Sequence, residues 1–167
     1  VTMATYCAQN RGINDLDRIQ KGVKAANIMS GVYAVIVYGL VYLAVPYIVP
    51  LFITEQIQMV CGYVKTYIVI CGVFFIPLGM IFIFRNALQG CGFGFVPMMG
   101  GVVELVSRGV VAFVAANLMS YVGVCFANAS AWLTAGIFLL IAYHFLMKKM
   151  VRDKKIHEER MLAEAMQ

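Results

Sequence analysis

Four long apolar segments constrain this chain more than any other feature of its sequence. Each has about 20 or more residues, the length that an α-helix needs to cross the hydrocarbon core of a bilayer. The segments are residues 28–52, 64–84, 95–118 and 126–147. Hydrophobic residues make up 62% of the chain and charged residues 13%, whereas a soluble domain is roughly 45–50% apolar and about 25% charged. The sequence therefore predicts an all-α integral membrane protein with four transmembrane helices.

The basic residues cluster at particular ends of these segments. Cytoplasmic loops of membrane proteins carry an excess of Lys and Arg. Eleven of the 13 basic residues lie before the first segment, in the connector 85–94 or after the fourth segment: Arg11, Arg18, Lys21, Lys24, Arg85, Lys148, Lys149, Arg152, Lys154, Lys155 and Arg160. Both ends of the chain are therefore predicted to face the cytoplasm from a plasma or inner membrane. This distribution accounts for the net charge of +5 without a nucleic-acid partner.

The chain divides into three parts by composition. Residues 1–13 are interpreted as the tail of an upstream transmembrane helix followed by a turn, 14–149 as the four membrane helices, and 150–167 as a helical cytoplasmic tail. Gly12 is predicted to follow the end of the first helix, because a positive φ is cheap only for glycine. Asn14 or Asp15 is predicted to cap the next helix.

Pro77 and Gly79 interrupt the second segment. Proline removes a backbone donor and clashes with the preceding turn, so the sequence predicts a kink there. Transporters use such breaks as hinges, but prolines in membrane helices also serve packing alone. Both interpretations stay open, and Pro77 and Gly79 are the hinge candidates.

Glu104 and Arg108 lie within the third segment. From residue 95 they are roughly 13 Å and roughly 20 Å along a helix, which places Arg108 near the bilayer centre. At i, i+4 they share a helix face and can pair, and that face must avoid lipid. In one interpretation the pair ties this helix to its neighbours as a latch. In the other, Glu104 lines a cavity and meets a cation or a proton. Asn117, near the end of the same segment, is a third candidate for the substrate or ion pathway.

The remaining chemistry-bearing residues give no pattern typical of an enzyme. The two histidines are scattered and the five cysteines include no CxxC pair, which gives a metal site little support. We therefore expect no catalytic group, no metal and no bound cofactor.

Four stretches together resemble one family of transporters. They are ATYCAQNRGINDLDRIQKGVKAA, FRNALQGCG, ELVSRGVVAF and CFANASAWLTAG. Their order and spacing resemble the multidrug and toxic compound extrusion (MATE) transporters, and the resemblance spans about residues 3–149. It implies the end of helix 8 and helices 9 to 12 of a twelve-helix protein with two six-helix lobes. It also implies antiport of drugs or other small organic cations against Na⁺ or H⁺, with an N-terminal lobe of the same protein as the partner of this one.

The resemblance leaves the coupling ion unassigned. Some family members carry cation-linked carboxylates on helix 10, but the matching stretch, YVKTYIVICGVFFIPLGMIFIFRNALQ, has no Asp or Glu. Two alternatives remain beside the antiporter. A flippase for a lipid-linked sugar is expected to line its cavity with several basic residues, and in this sequence Arg108 is the only deep one. The other alternative is a self-sufficient four-helix membrane subunit without a transport role.

Overall fold

The computed structural model describes residues 2–53 and 56–166, and the regular secondary structure of these residues is all helical. The helices are α1 (Thr2–Gly12), α2 (Leu16–Phe52), α3 (Ile57–Val73), α4 (Phe75–Gly90), α5 (Phe95–Asn117) and α6 (Tyr121–Ala165). By length and composition, α2, α5 and α6 can each cross a membrane, and α3 with α4 makes a fourth crossing if this bent pair is one span. The predicted all-α membrane fold is confirmed.

Three helices end on a residue with left-handed backbone conformation. These residues are Asn14 after α1, Gly92 after α4 and Met119 after α5, with φ of 56°, 87° and 47°. At each end two N–H groups bond back to carbonyls of the last turn, which satisfies groups that a helix end leaves unpaired. The prediction that Gly12 follows α1 is wrong, because Gly12 is still helical and Asn14 makes the turn. The short polar side chain of asparagine tolerates this conformation.

The first long helix begins earlier than its apolar composition indicates. Asp15 caps α2 by accepting a hydrogen bond from the Arg18 backbone N–H at 3.0 Å, as one of the two predicted caps. The helix is therefore continuous from Leu16, through the basic residues that precede the predicted span at residue 28. The helix α6 likewise runs without a break across the proposed boundary at residues 149 and 150. We call the part of α6 from residue 150 onward the α6 extension. The Lys154 ammonium donates to the Asn14 carbonyl at 3.0 Å, so the α6 extension packs against the α1–α2 turn.

The second span is broken at Phe74 and bent by 47°. Proline clashes with the carbonyl four residues before it and supplies no N–H to that carbonyl. For Pro77 that residue is Val73, the last residue of α3. The helix resumes at Phe75, so Pro77 lies in the first turn of α4, where proline is tolerated. The predicted kink is present, three residues before the proline that causes it.

The connectors are shorter than their composition indicates. The polarity of residues 85–90 predicts a loop, but these residues form the last turns of α4. Only residues 91–94 connect α4 to α5, and only residues 118–120 connect α5 to α6. Arg85 is therefore a helix residue, and its placement in the 85–94 connector is wrong.

The helix α4 lies at the centre of the bundle, where it contacts each of the other helices. Its second half carries the core residues Ile81, Phe84, Ala87 and Leu88, which pack with residues of α1, α2 and α6. Small residues allow close packing in the α5–α6 interface, as in many membrane bundles, and a Cβ in place of Gly123 would lie 2.9 Å from that of Ala115. A side chain in place of Gly100 would contact Leu139 from 3.0 Å.

Candidate functional site

Glu104 and Arg108 pair on one face of α5. Arg108 donates from Nη2 to Glu104 Oε1 at 2.7 Å, a short charge-assisted bond between residues one turn apart. The Glu104 side chain is 23% exposed and that of Arg108 44% exposed. The pairing predicted from their spacing is therefore present.

Arg85 joins this pair from the neighbouring helix. Its Nη2 lies 3.7 Å from Glu104 Oε2, so the carboxylate lies between one guanidinium on α4 and one on α5. Gly101 of α5 lies beside the Arg85 guanidinium, since a Cβ there would be in ordinary contact with Nη2 at 3.9 Å. We call Arg85, Glu104 and Arg108 the charged cluster. It carries two positive charges and one negative charge.

Three donor atoms of the charged cluster have no hydrogen-bond partner among residues 2–53 and 56–166. They are Nε and Nη2 of Arg85 and Nε of Arg108, and all three are buried. Buried polar atoms are nearly always paired in native proteins, so each such atom calls for an explanation. These N–H groups can therefore donate to a further hydrogen-bond acceptor, which water, a ligand or another part of the protein could supply.

The sequence contains a pattern that predicts Arg85 to be a helix residue. Gly92 takes the left-handed conformation two residues after α4 ends, and the N–H of Phe93 bonds to the Leu88 carbonyl at 2.9 Å. A glycine followed by an apolar residue is typical of this helix end. Placing the helix end by Gly92 instead of by the polar composition puts Arg85 inside the helix.

Asn117 lies apart from the charged cluster. It is exposed near the end of α5, where its Nδ2 donates to the Phe113 carbonyl at 2.9 Å. It is roughly 20 Å along the helix from Glu104 and projects from the opposite side to Arg108. The structure therefore does not bring this pathway candidate together with the other two.

The two hinge candidates lie on different faces of α4: Pro77 packs near Gly136 of α6, whereas Gly79 faces α2. A side chain in place of Gly79 would collide with the Ser30 hydroxyl, so the absence of a Cβ permits this close approach. The same region opens into an apolar cavity of about 610 Å³ between α1, α2 and α4, whose walls include Tyr33, Phe75 and Phe82. Arg85 follows Phe82 by one turn on the same side of α4. The cavity and the charged cluster are thus neighbours along one helix.

Lys65 lies at the start of the second apolar segment and makes a separate contact. Its Nζ lies 5.9 Å from the centre of the Tyr42 ring, which is a cation–π distance. Lys65 therefore links α3 to α2 and takes no part in the charged cluster.

Comparison with known families gives one match. The MatE family model matches residues 1–114, from the start of α1 to most of α5, and this range includes all three residues of the charged cluster. No curated protein and no solved structure matches the chain. The matched range is more than half of the 167 residues. The chain, a multi-pass membrane protein, therefore belongs to the MatE family of transporters.

Proposed function

We propose that this chain is part of a cation-coupled antiporter that exports drugs or other organic cations by alternating access. The charged cluster carries the proposal. Ionisable residues inside membrane helices are costly and are functional candidates by default. Here Glu104 contacts arginines on two different helices, and α4 is the helix that follows the 47° bend. Movement at the bend would change the distance between Arg85 and Glu104, so the contact fits a latch that opens and closes during transport.

The apolar cavity supports the substrate class. Ligand sites are concave and mainly apolar, with volumes of about 300–1,000 Å³, and this cavity has a volume of about 610 Å³. The aromatic faces of Tyr33, Phe75 and Phe82 suit an organic cation, because the ring face attracts positive charge. Transporters built from repeats bind substrate at the interface between the repeats, so we place the complete substrate site between this lobe and an N-terminal lobe, within the lipid bilayer.

Efflux from vesicles tests the proposal. Full-length protein is reconstituted, and export of a fluorescent organic cation is followed under a Na⁺ gradient and, separately, under a pH gradient. Transport driven by either ion supports antiport and identifies Na⁺ or H⁺ as the coupling ion. The variant Glu104→Gln then separates the two roles of Glu104. A latch predicts slower transport with the ion dependence retained, whereas an ion site predicts loss of the ion dependence.

A lipid-linked-sugar flippase remains the second candidate. On the sequence, Arg108 is the only deep basic residue, which argues against this candidate, but Arg85 supplies a second guanidinium beside Glu104. Two guanidinium groups with spare donors can bind a pyrophosphate. Translocation of a lipid-linked oligosaccharide in the same vesicles, without export of organic cations, would favour this candidate. Membership of the MatE family argues against the third alternative, an unrelated four-helix subunit.

A further inference from the structure

A second cavity, of about 560 Å³, lies between α2, α4 and α6. One wall is apolar and consists of Met80 and Phe84 from α4 and Leu140 from α6. Its volume and concave shape suit a small molecule or part of a lipid. Neither the charged cluster nor the hinge candidates line it, so it is distinct from the proposed transport site.

The rim of this cavity is basic. Lys21 and Lys24, one turn apart on α2, line it together with His144 of α6. Both lysines are exposed, and within the described part of the chain neither pairs with a carboxylate. Their positive charges are therefore available to an anion at the cavity mouth.

Asn27 and Tyr143 also line the cavity, but the Asn27 Oδ1 and Tyr143 Oη atoms are buried and not open to it. Tyr143 Oη and Asn27 Oδ1 have no hydrogen-bond partner among residues 2–53 and 56–166. The amide of Asn27 is oriented by its other end, because Nδ2 donates to the Val23 carbonyl at 2.8 Å.

The cavity therefore changes from basic to polar to apolar along its length. Lys21 is about 9 Å from Asn27 along α2, which is comparable to the depth of a phospholipid headgroup and its ester region. The lysines belong to the basic N-terminal cluster that we expect at the cytoplasmic surface. Basic pockets between membrane helices on that side bind the headgroups of anionic lipids.

We infer that this cavity binds an acidic phospholipid of the cytoplasmic leaflet. Lys21 and Lys24 bind the headgroup phosphate, and an acyl chain covers Met80, Phe84 and Leu140. A free phosphate could use the lysines, but it would leave the apolar wall exposed. The site rests on the inferred membrane orientation and is independent of the transported substrate.

Lipid selectivity of the full-length protein tests this site. The protein is placed in nanodiscs that contain phosphatidylglycerol and phosphatidylcholine, and bound lipids are quantified by native mass spectrometry after extraction. We expect phosphatidylglycerol to be retained preferentially. The double variant Lys21→Gln/Lys24→Gln should lower this preference by roughly thirtyfold, because each lysine near an anionic surface contributes about 1 kcal/mol. The variant Leu140→Trp should also lower the preference for phosphatidylglycerol, because the larger side chain occupies the space for the acyl chain and leaves the charge unchanged.

A matched control removes the same charge elsewhere. Lys155→Gln/Arg160→Gln neutralises two exposed residues of the α6 extension, and we expect it to keep the preference. Equal effects of the two double variants would overturn the site, since the lysines would then act only through the general surface potential. An unchanged preference in Leu140→Trp would overturn it as well. Displacement of the lipid by millimolar inorganic phosphate would show that the ligand is a free phosphate and would reject the lipid assignment.

Discussion

Arg85 and Glu104 connect two transmembrane helices through one contact, in which Arg85 Nη2 lies 3.7 Å from Glu104 Oε2. The second oxygen of the same carboxylate accepts from Arg108 at 2.7 Å. Glu104 thus separates two guanidinium groups that would otherwise face each other. Its contribution to stability is the attraction to both arginines and the repulsion that it prevents.

Replacement of Glu104 should therefore destabilise the protein more than replacement of either arginine. Glu104→Gln leaves two positive charges close together without a counter-charge. We expect a loss of about 1–3 kcal/mol in the free energy of unfolding, between the values for exposed and for buried pairs. Arg85→Gln and Arg108→Gln should each cost less, because each leaves a neutral pair. Thermal unfolding of full-length protein in detergent measures the order.

The double variant Glu104→Gln/Arg85→Gln gives the matched control. It removes one charge of each sign and should regain part of the stability that Glu104→Gln loses. Asn117→Ala, on the other side of α5, should change the unfolding temperature little. If Glu104→Gln and Asn117→Ala unfold at the same temperature, the charged cluster contributes nothing to stability.

Pro77→Ala should straighten the second span. Alanine supplies the N–H that the Val73 carbonyl lacks and removes the ring that clashes with it. The 47° bend should decrease, and the distance between spin labels at Thr66 and Gln89, on opposite sides of the break, should increase. If the bend serves as a hinge, export should also slow.

Pro97→Ala is the control for Pro77→Ala. Pro97 occupies the same position, the third residue of its helix, but a turn and not a helix precedes it. The residue four positions before Pro97 is in a turn, so no helical carbonyl lacks a hydrogen bond because of this proline. The substitution should therefore leave helix geometry and transport nearly unchanged. Equal effects of the two substitutions on transport would reject a special role for Pro77.

Most of the fold could be predicted because membrane spans have a strong compositional signal. The apolar runs located α2, α5 and α6, and the i, i+4 spacing of Glu104 and Arg108 predicted their pairing. Helix ends were predicted less well, because helices in membranes continue into polar sequence beyond the hydrocarbon region. The stretch from residue 85 to residue 90 reads as a loop by polarity, yet its backbone is helical up to Gly90.

The charged cluster could be predicted only in part, because Arg85 was assigned to a loop. Arg85 is nineteen positions before Glu104, and only the turn between α4 and α5 brings the two together. Sequence spacing predicts contacts within one helix, but contacts between helices depend on crossing geometry. The α6 residues that line one cavity with Lys21 and Lys24 could not be predicted from sequence on the same grounds.

Gly92→Ala should weaken the turn that positions α4 against α5. Gly92 has a φ of 87°, where a Cβ costs roughly 1–2 kcal/mol. We expect a loss of that size in the free energy of unfolding, again measured by thermal unfolding. Gly94→Ala is the control, because Gly94 has a φ of −72° and open space around its missing Cβ. Equal destabilisation by both substitutions would contradict the role of backbone conformation at Gly92.

Cys91 should react with alkylating reagents at a lower pH than an ordinary thiol. A hydrogen bond with Cys7 lowers the pKa of Cys91, and the nearby Arg11 lowers it further, against the opposing effect of burial. Because the thiolate is the nucleophile, the alkylation rate should begin to rise at correspondingly lower pH. Cys7→Ala removes the main cause, so the pH midpoint for Cys91 should move up. Mass spectrometry of iodoacetamide-treated protein over a pH series measures this midpoint, with Cys61→Ala, on α3, as the control. An identical midpoint in Cys7→Ala and Cys61→Ala would show that the Cys7 contact does not set the reactivity of Cys91.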